Sequence, residues 1–279
     1  MEREVLAWFE ANKRDLPWRK STPWGVMVSE YMLQQTPVNR VLPVWNEWLR
    51  RWPTPKDLAG AKKSDLLKAW GRLGYPRRAL RLHEAATIIA KEFKNQVPNS
   101  IEELRQLPGV GEYTAAAIMA FAHKKRSLVL DVNVRRLFSR VLEGQDFPPL
   151  HITNSERESR TQLIPVDAHT WAAATMELGA LICNSTKPKC DICPLSNSCL
   201  WRAKGFPYSH NAKKRVQQWH GTDRQCRGVV IEFLRNHPKA TKNSLSKVWE
   251  DSSQLEKCLE TLISDGLIQK KCASFKLSD

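Results

Sequence analysis

Four cysteines lie close together in the chain, in the pattern Cys183-x6-Cys190-x2-Cys193-x5-Cys199. Four cysteine thiolates that lie this close together in the chain can hold zinc or an iron–sulfur cluster. Zinc sites commonly pair two short knuckles across a longer gap, whereas this run has one short knuckle between two longer arms. The chain has seven cysteines in all, and an odd number without a secretion signal argues against a disulfide framework. The sequence therefore predicts a four-thiolate metal site.

Two acidic residues stand in settings that suit proton and charge chemistry. Glu30 lies in an otherwise apolar helical stretch, where partial desolvation would raise its pKa and keep the carboxyl protonated near neutrality. Such a carboxyl can act as a general acid, although a glutamate on the solvent face of a helix is the common alternative. Asp131 follows the apolar run Ser-Leu-Val-Leu and is expected to cap the next helix. A catalytic role for Asp131 is compatible with that cap.

A glycine turn separates two predicted helices, over residues 100–106 and 113–122. The turn contains Gly109, Val110 and Gly111. Glycine admits positive φ and lets other backbone approach closely, and the free N–H groups at a helix start attract phosphate oxygens. The sequence predicts a helix–hairpin–helix DNA-binding motif.

The charge of the chain points in the same direction. Its 279 residues include 44 Lys and Arg against 29 Asp and Glu, a net charge of +15 that favours a polyanionic partner such as nucleic acid. The N-terminus lacks the apolar core of a signal peptide, and no stretch approaches the roughly 20 apolar residues that span a bilayer. We expect a soluble, cytoplasmic protein.

The elements that must position these residues are helices. Before residue 202, apolar positions recur at spacings of three and four, and we predict a mainly α fold. A basic linker is expected over residues 203–223, which either crosses a phosphate backbone or is a solvated connector. Beyond it, three helices and a hairpin predict a small winged-helix-like domain over 224–279. Such domains bind DNA, bind protein or pack against a core, and this hairpin carries Lys270, Lys271 and Lys276.

Taken together and in this order, the motifs resemble the MutY-type adenine DNA glycosylases of the helix–hairpin–helix, or endonuclease III, superfamily. The other matching segments are Asn12-Lys-Arg-Asp-Leu-Pro-Trp-Arg, Ser29-Glu-Tyr-Met-Leu-Gln-Gln-Thr and Leu130-Asp-Val-Asn-Val-Arg-Arg. The resemblance covers residues 1–202 and implies a glycosylase core with a six-helix module over 22–126 and an iron–sulfur module over 1–21 and 127–202. It also implies that the four cysteines hold a [4Fe–4S] cluster.

This resemblance implies a role in base excision repair. The expected reaction is hydrolysis of the N-glycosidic bond of adenine mispaired with guanine or 8-oxoguanine in double-stranded DNA. Glu30 would protonate N7 of adenine, and Asp131 would stabilise the oxocarbenium ion left on the sugar. Asn133 would help to orient the acids. Tyr113 stands where lyase-type members carry lysine, so a monofunctional enzyme is expected. We also expect the enzyme to be a monomer.

The resemblance also implies DNA and base contacts. Gln34, Gln35 and Thr36 would surround the orphan guanine or 8-oxoguanine. The segment Leu73, Gly74 and Tyr75 would supply the wedge pushed into the base stack. The other expected substrate or DNA contacts are Arg14, Arg19, Gly109, Val110, Gly111 and, facing adenine, Glu177.

The sequence departs from typical MutY proteins after the core. They continue into a Nudix-like domain that checks for 8-oxoguanine, whereas this tail is similar to that of actinobacterial MutY-like proteins. We expect the tail to add positive charge for phosphate contacts. Two alternatives stay open: a thymine or uracil glycosylase acting on mismatches with guanine, and a non-catalytic, cluster-bearing DNA-binding regulator. The Gln-Gln-Thr tripeptide disfavours the first, and the presence of both Glu30 and Asp131 disfavours the second.

Overall fold

A computed structural model describes residues 1–207 and 219–279 of the chain. Helices dominate this part, as the sequence predicts. The α-helices are α1 (Glu2–Asn12), α2 (Pro23–Leu33), α3 (Val38–Arg51), α4 (Pro55–Ala59), α5 (Lys63–Trp70), α6 (Arg77–Glu92), α7 (Ile101–Gln106), α8 (Glu112–Phe121), α9 (Val132–Phe138), α10 (Asn154–Gln162), α11 (Ala168–Leu181), α12 (Leu200–Ala203), α13 (Asp223–Asn236), α14 (Lys242–Ser246) and α15 (Ser252–Ser264). The strands are β1 (Ala240–Thr241), β2 (Ile268–Lys271) and β3 (Ser274–Leu277). Within the described ranges, no helix has the length and apolar character needed to cross a bilayer.

Side-chain caps set the starts of many of these helices. A Thr or Asp oxygen accepts a hydrogen bond from a backbone N–H of the first turn, which satisfies a group that has no partner inside the helix. The capping residues are Thr54, Asp131, Thr153, Asp167, Thr222, Thr241 and Asp251. The helices on either side of the predicted glycine turn, α7 and α8, begin and end within one residue of their expected positions.

The described residues form two compact units. The cysteine unit comprises Met1–Val26, Asn99–Gln106 and residues 110–207, and the tail unit comprises Met27–Pro98, Leu107–Gly109 and residues 219–279. The bounds of these units differ from the bounds of the modules that the sequence analysis expects. Of the predicted linker over 203–223, residues 208–218 lie outside the described residues.

The core of the cysteine unit joins its N-terminal helix to the helices that lead into the cysteine loop. Helix α1 buries Val5 and Phe9 in a cluster with Leu137 of α9 and with Trp171 and Leu178 of α11. Cys183 and Leu195 belong to the same cluster, and Cys193 and Cys199 pack against it. The apolar core therefore fixes the two ends of the loop that carries the cysteines.

The tail shares its core with α5 and α6. Helix α13 buries Val230, Ile231 and Leu234, and the cluster around them includes Leu67 and Leu80. Polar contacts add to this packing: Arg235 Nε donates to the Leu67 carbonyl at 2.9 Å. The tail thus packs against a core, one of the three roles open to such a domain. That residues 224–279 form a domain of their own stays a prediction.

The sheet completes the winged-helix-like arrangement of the tail. Its strand order is β1-β3-β2, with both pairs antiparallel. The β2–β3 hairpin was expected, whereas β1 was not, because a strand of two residues is too short to show an alternating pattern. Phe275 and Leu277 face the core, while Lys270 and Lys271 are exposed. The hairpin therefore presents Lys270 and Lys271 to solvent.

Candidate active site

The four predicted metal ligands, Cys183, Cys190, Cys193 and Cys199, line one cavity in the cysteine unit. All are free thiols. Burial raises the pKa of Cys190, and the charges of neighbouring thiolates raise that pKa further. Burial likewise raises the pKa of Cys193, to about 11. Four thiolates can share such a cavity only with positive charge among them, so the donor set fits a metal centre.

The cysteine thiols surround a partly apolar cavity. Within residues 1–207 and 219–279, no three His, Cys, Asp or Glu side chains form a group that could hold a metal ion. The cysteines instead surround a cavity whose other walls include apolar Leu137 and Ile182. Four thiolates around an apolar cavity are the donors that an iron–sulfur cluster uses.

A buried arginine that the sequence analysis missed forms one wall of this cavity. Arg140 is 1% exposed, and its Nη2 lies 2.6 Å from Asp146 Oδ1. Its Nη1 donates to Cys183 Sγ at 3.6 Å, and its carbonyl accepts from Cys199 Sγ at 3.6 Å. An arginine in a run such as Leu-Phe-Ser-Arg-Val gives no sign of burial, since its partners lie in other segments.

Asp131 is the N-cap of α9, as predicted. Its Oδ1 accepts from the backbone N–H groups of Asn133 at 2.9 Å and Val134 at 2.7 Å. Its Oδ2 accepts from Asn133 Nδ2 at 2.8 Å, so the structure brings these two predicted site residues together. Burial raises the pKa of Asp131, although these hydrogen bonds oppose the rise. The carboxylate is therefore well oriented but incompletely solvated.

The orientation of Asn133 depends on Arg136. Arg136 Nη2 donates to Asn133 Oδ1 at 2.9 Å and to the Gly179 carbonyl at 2.7 Å, which ties α9 to α11. Gly179 is required at this crossing, because a Cβ there would lie 2.7 Å from the Asn133 carbonyl oxygen. Sequence reasoning missed both residues, since a glycine inside a helix gives no hint of which backbone approaches it.

The buried carboxylate of Glu177 pairs with Arg14 and Arg19, which are partly exposed. It is 2% exposed, and its Oε1 lies 2.9 Å from Arg14 Nε while its Oε2 lies 2.5 Å from Arg19 Nη2. Burial would raise the pKa of Glu177, but the hydrogen bonds and charges of the two arginines outweigh it and lower the pKa. The three predicted contact residues thus come together as an ionised cluster, with both arginines engaged by Glu177.

Tyr113 lies at the start of α8 and is half-buried. It packs against a cluster of small residues that includes Ala116, Ala117 and Ala172. The small residues let α8 and α11 approach closely. The position at which the resemblance places a lysine in lyase-type members is thus occupied here by an aromatic ring that packs against the core.

Glu30 lies on α2 in the tail unit and is 7% exposed, so it is not on a solvent face. The next residue, Tyr31, donates its Oη to the Pro108 carbonyl at 2.5 Å. Gly109 has φ 86°, and a Cβ there would lie 2.8 Å from Tyr31 Cε1. The helix that carries Glu30 and the predicted hairpin are therefore in contact, and only glycine fits between them.

The other two residues of the glycine turn, Val110 and Gly111, differ in how much other atoms cover them. Val110 is buried. Gly111 is the N-cap of α8, and the described residues leave open space where its Cβ would lie. The backbone at Gly111 is thus free of steric cover, as contact with a phosphate would require.

Arg78, at the start of α6, joins the two segments expected to read the DNA, and the sequence analysis missed it. It is 7% exposed, and among the described residues no carboxylate pairs with it. Burial lowers its pKa to about 10. Its guanidinium donates to the carbonyls of Tyr31, Met32, Gln34, Leu73 and Gly74 and to Thr36 Oγ1. One side chain thus fixes the Gln34–Thr36 turn beside the wedge segment.

The residues expected at the wedge differ in exposure. Tyr75 is 43% exposed, whereas Leu73 is 4% exposed and its carbonyl accepts from Thr36 Oγ1 at 3.2 Å. Thr36 is buried as well, while Gln35 is exposed. In this conformation Tyr75 and Gln35 are the accessible members of the predicted set, and Leu73 and Thr36 support them from beneath.

Comparison with known proteins identifies relatives that share this architecture. Residues 28–178 match the HhH-GPD superfamily of base excision DNA repair proteins. The adenine DNA glycosylase of Mycolicibacterium smegmatis is 44% identical over 273 residues, which cover 96% of this chain and 92% of that protein. The adenine DNA glycosylase of Homo sapiens is 37% identical over 226 residues, covering 77% of this chain and 39% of its own. The mycobacterial match therefore extends into the tail.

Two solved structures are similar to most of the chain. A thermostable thymine-DNA glycosylase superposes with a TM-score of 0.67 at 27% identity, covering 72% of this chain and 94% of its own. A non-covalent endonuclease III–DNA complex superposes with a TM-score of 0.62 at 21% identity, covering 73% of this chain and 94% of its own. The second likeness concerns the fold alone.

Proposed function

The chain belongs to the HhH-GPD superfamily of base excision DNA repair proteins, and we propose that it removes adenine mispaired with guanine or 8-oxoguanine in double-stranded DNA. It is a DNA N-glycosylase, an enzyme that hydrolyses the bond between a base and its deoxyribose. The choice of adenine as the base rests on one observation: a mycobacterial adenine DNA glycosylase is 44% identical to this protein in an alignment that covers 96% of the chain. We infer that the enzyme acts as a monomer, since one chain supplies every residue of the proposed mechanism, and we propose that it works in the cytoplasm.

Glu30 is the proposed general acid. Adenine must leave the duplex before its glycosidic bond is accessible, and it departs poorly as an anion. A proton delivered to N7 converts it into a neutral leaving group. The 7% exposure of Glu30 in an apolar helix supports this role, because burial in general favours the protonated form of a carboxyl, which a general acid needs.

Asp131 is the proposed stabiliser of the sugar cation. Departure of adenine leaves an oxocarbenium ion that is electron-poor at C1′. Burial has already removed part of the water around the Asp131 carboxylate and raised its pKa, so a nearby cation would recover charge stabilisation that solvent does not supply. The hydrogen bonds from Asn133 hold the carboxylate in place, so little reorganisation is needed when the cation forms.

The four cysteines are the proposed ligands of a [4Fe–4S] cluster. When bound, such a cluster would cross-link the loop that follows α11. Cys183, Cys190, Cys193 and Cys199 line the cavity that would hold it. Arg140 would donate to the Cys183 sulfur and thereby offset part of the thiolate charge.

The enzyme is proposed to be monofunctional, since Tyr113 supplies no amine for a Schiff base. Its hydroxyphenyl ring is held by the α8–α11 packing. Base release should therefore leave an intact abasic strand until alkali is added.

A second candidate activity has one observation in its favour. The structure of a thermostable thymine-DNA glycosylase superposes on 72% of the chain. Removal of thymine mispaired with guanine is therefore the alternative activity. The two candidates share the same carboxylate chemistry and differ in the base that is flipped.

The test is a single-turnover comparison of duplexes with adenine opposite 8-oxoguanine, guanine, cytosine or thymine, and with thymine opposite guanine. The proposal expects fast base release from the first two and little from the others. Fast release from the T:G duplex with none from A:G would replace the proposal by the thymine activity.

A further inference from the structure

A groove of about 1090 Å³ lies in the tail unit, lined by the wedge segment and by helix α13. Its lining contains six arginines: Arg40, Arg72, Arg77, Arg224, Arg227 and Arg235. Two acids, Glu232 and Asp265, pair with four of them. Six positive charges against two negative ones leave a local excess that suits a polyanion.

A cation–π stack forms part of the lining of this groove. The guanidinium carbon of Arg224 lies 4.7 Å from the centroid of the Tyr75 ring and 5.4 Å from that of Trp219. Both rings are exposed, Tyr75 at 43% and Trp219 at 46%. Arg224 belongs to the tail and Trp219 to the end of the predicted linker before it, and the predicted wedge supplies the third stacked group.

Helix stability does not explain the presence of Arg224. It is the second residue of α13, where the positive end of the helix dipole disfavours a cation. The side chain is also exposed, so it fills no core position. Its guanidinium lies on the Tyr75 and Trp219 rings.

The backbone beside the stack is held in an uncommon conformation. Tyr75 has φ 47° and Gln35 has φ 56°, the left-handed region that non-glycine residues seldom adopt. Both residues line the groove, and Arg78 fixes the turns that carry them. Strained residues that a buried hub holds in place are typical of ligand clamps.

We propose that Arg224 and Trp219 form, together with Tyr75, a stacking platform for the base opposite the excised adenine. A purine presents flat faces that stack on aromatic rings and on guanidinium planes, and the surrounding arginines suit the flanking phosphates. The tail therefore takes part in choosing the opposite base, rather than adding charge alone. This inference rests on the proposed function, which supplies the unpaired opposite base.

The test compares Arg224→Lys and Arg224→Gln with the charge-loss control Lys271→Gln, whose side chain is exposed on β2. Lysine keeps the charge but loses the planar face. Binding is measured with duplexes that carry a non-hydrolysable adenosine analogue opposite 8-oxoguanine or guanine, and with a fully paired duplex. A cation–π contact corresponds to a factor of about two to thirty in affinity.

Both Arg224 variants should weaken mispair binding by about that factor and shift the preference between 8-oxoguanine and guanine. Lys271→Gln should weaken all three duplexes equally. With 2-aminopurine opposite the target adenine, loss of stacking in Arg224→Lys should raise its fluorescence. Wild-type affinity, preference and fluorescence in Arg224→Lys would overturn the inference, as would an equal loss for paired and mispaired duplexes in both variants. Failure of the proposed function would appear separately, as wild-type protein that releases no adenine from either mispair.

Discussion

Replacing Asp131 by asparagine separates its two roles, helix cap and stabiliser of a cation. Asparagine caps helices about as well as aspartate, and its oxygen can still accept from the backbone N–H groups of Asn133 and Val134. The new amide nitrogen would then face Asn133 Nδ2, where the carboxylate now accepts at 2.8 Å. Asn133 cannot turn over to compensate, because Arg136 donates to its Oδ1.

The stability change in Asp131→Asn should therefore be small. One lost hydrogen bond destabilises by about 0.5–1.5 kcal/mol, and removal of an incompletely solvated charge offsets part of this. Asp131→Ala loses all three hydrogen bonds, and the lost cap costs about 0.5–2 kcal/mol. Base release should fall in both variants by about 10²–10³-fold, because neither keeps the negative charge.

The pH dependence of stability gives an internal check. Burial raises the pKa of Asp131 above its ordinary value of 3.8, so its contribution to stability is fully present below that value and is lost as pH rises through the raised pKa. The asparagine variant has no such ionisation. Its melting temperature relative to wild type should rise from acid towards neutral pH. Near-normal base release in Asp131→Asn, with loss confined to Asp131→Ala, would refute the electrostatic role and leave only the cap.

Three further predictions test other parts of the site. Glu30→Gln should lower single-turnover base release by about 10²–10⁴-fold with nearly unchanged DNA binding, because the amide keeps the shape and cannot donate the proton. Near-normal turnover would contradict the assignment. Cys193→Ser should lose iron and visible absorbance, whereas Cys272→Ser, on the exposed hairpin, should keep both; stoichiometric zinc in the wild type would exclude the cluster. Arg78→Lys should destabilise the protein by about 1–3 kcal/mol in denaturant melts, since lysine cannot serve six acceptors. An unchanged midpoint would show that water replaces those bonds.

Local patterns predicted much of the fold. The hairpin helices, the Asp131 cap and the β2–β3 hairpin follow from signals within a few residues, namely glycine spacing, capping chemistry and alternation. The four cysteines could be assigned to one site for the same reason, since their spacing in the chain is short. Burial of Glu30 followed from the apolar residues around it.

Contacts between distant segments could not be predicted in this way. Arg78 and Arg140 appear in the sequence as ordinary surface charges. Only the fold shows that carbonyls of other segments accept hydrogen bonds from Arg78 and that a cysteine sulfur accepts one from Arg140. The burial of Leu73 also depends on a partner far along the chain, Thr36. The packing of the tail on α5 could not be predicted either, because nothing in the sequence identifies Leu67 of α5 as part of the core of the tail.

The identity of the released base tests the central claim most directly. Wild-type protein is incubated with a duplex that carries one adenine opposite 8-oxoguanine, and the small-molecule product is identified by mass while the strands are sized before and after alkali. The account predicts free adenine in an amount equal to the abasic strand, with the strand intact until alkali is added. Release of thymine from a T:G duplex with no adenine from this one, or strand cleavage before alkali at the rate of base release, would contradict it.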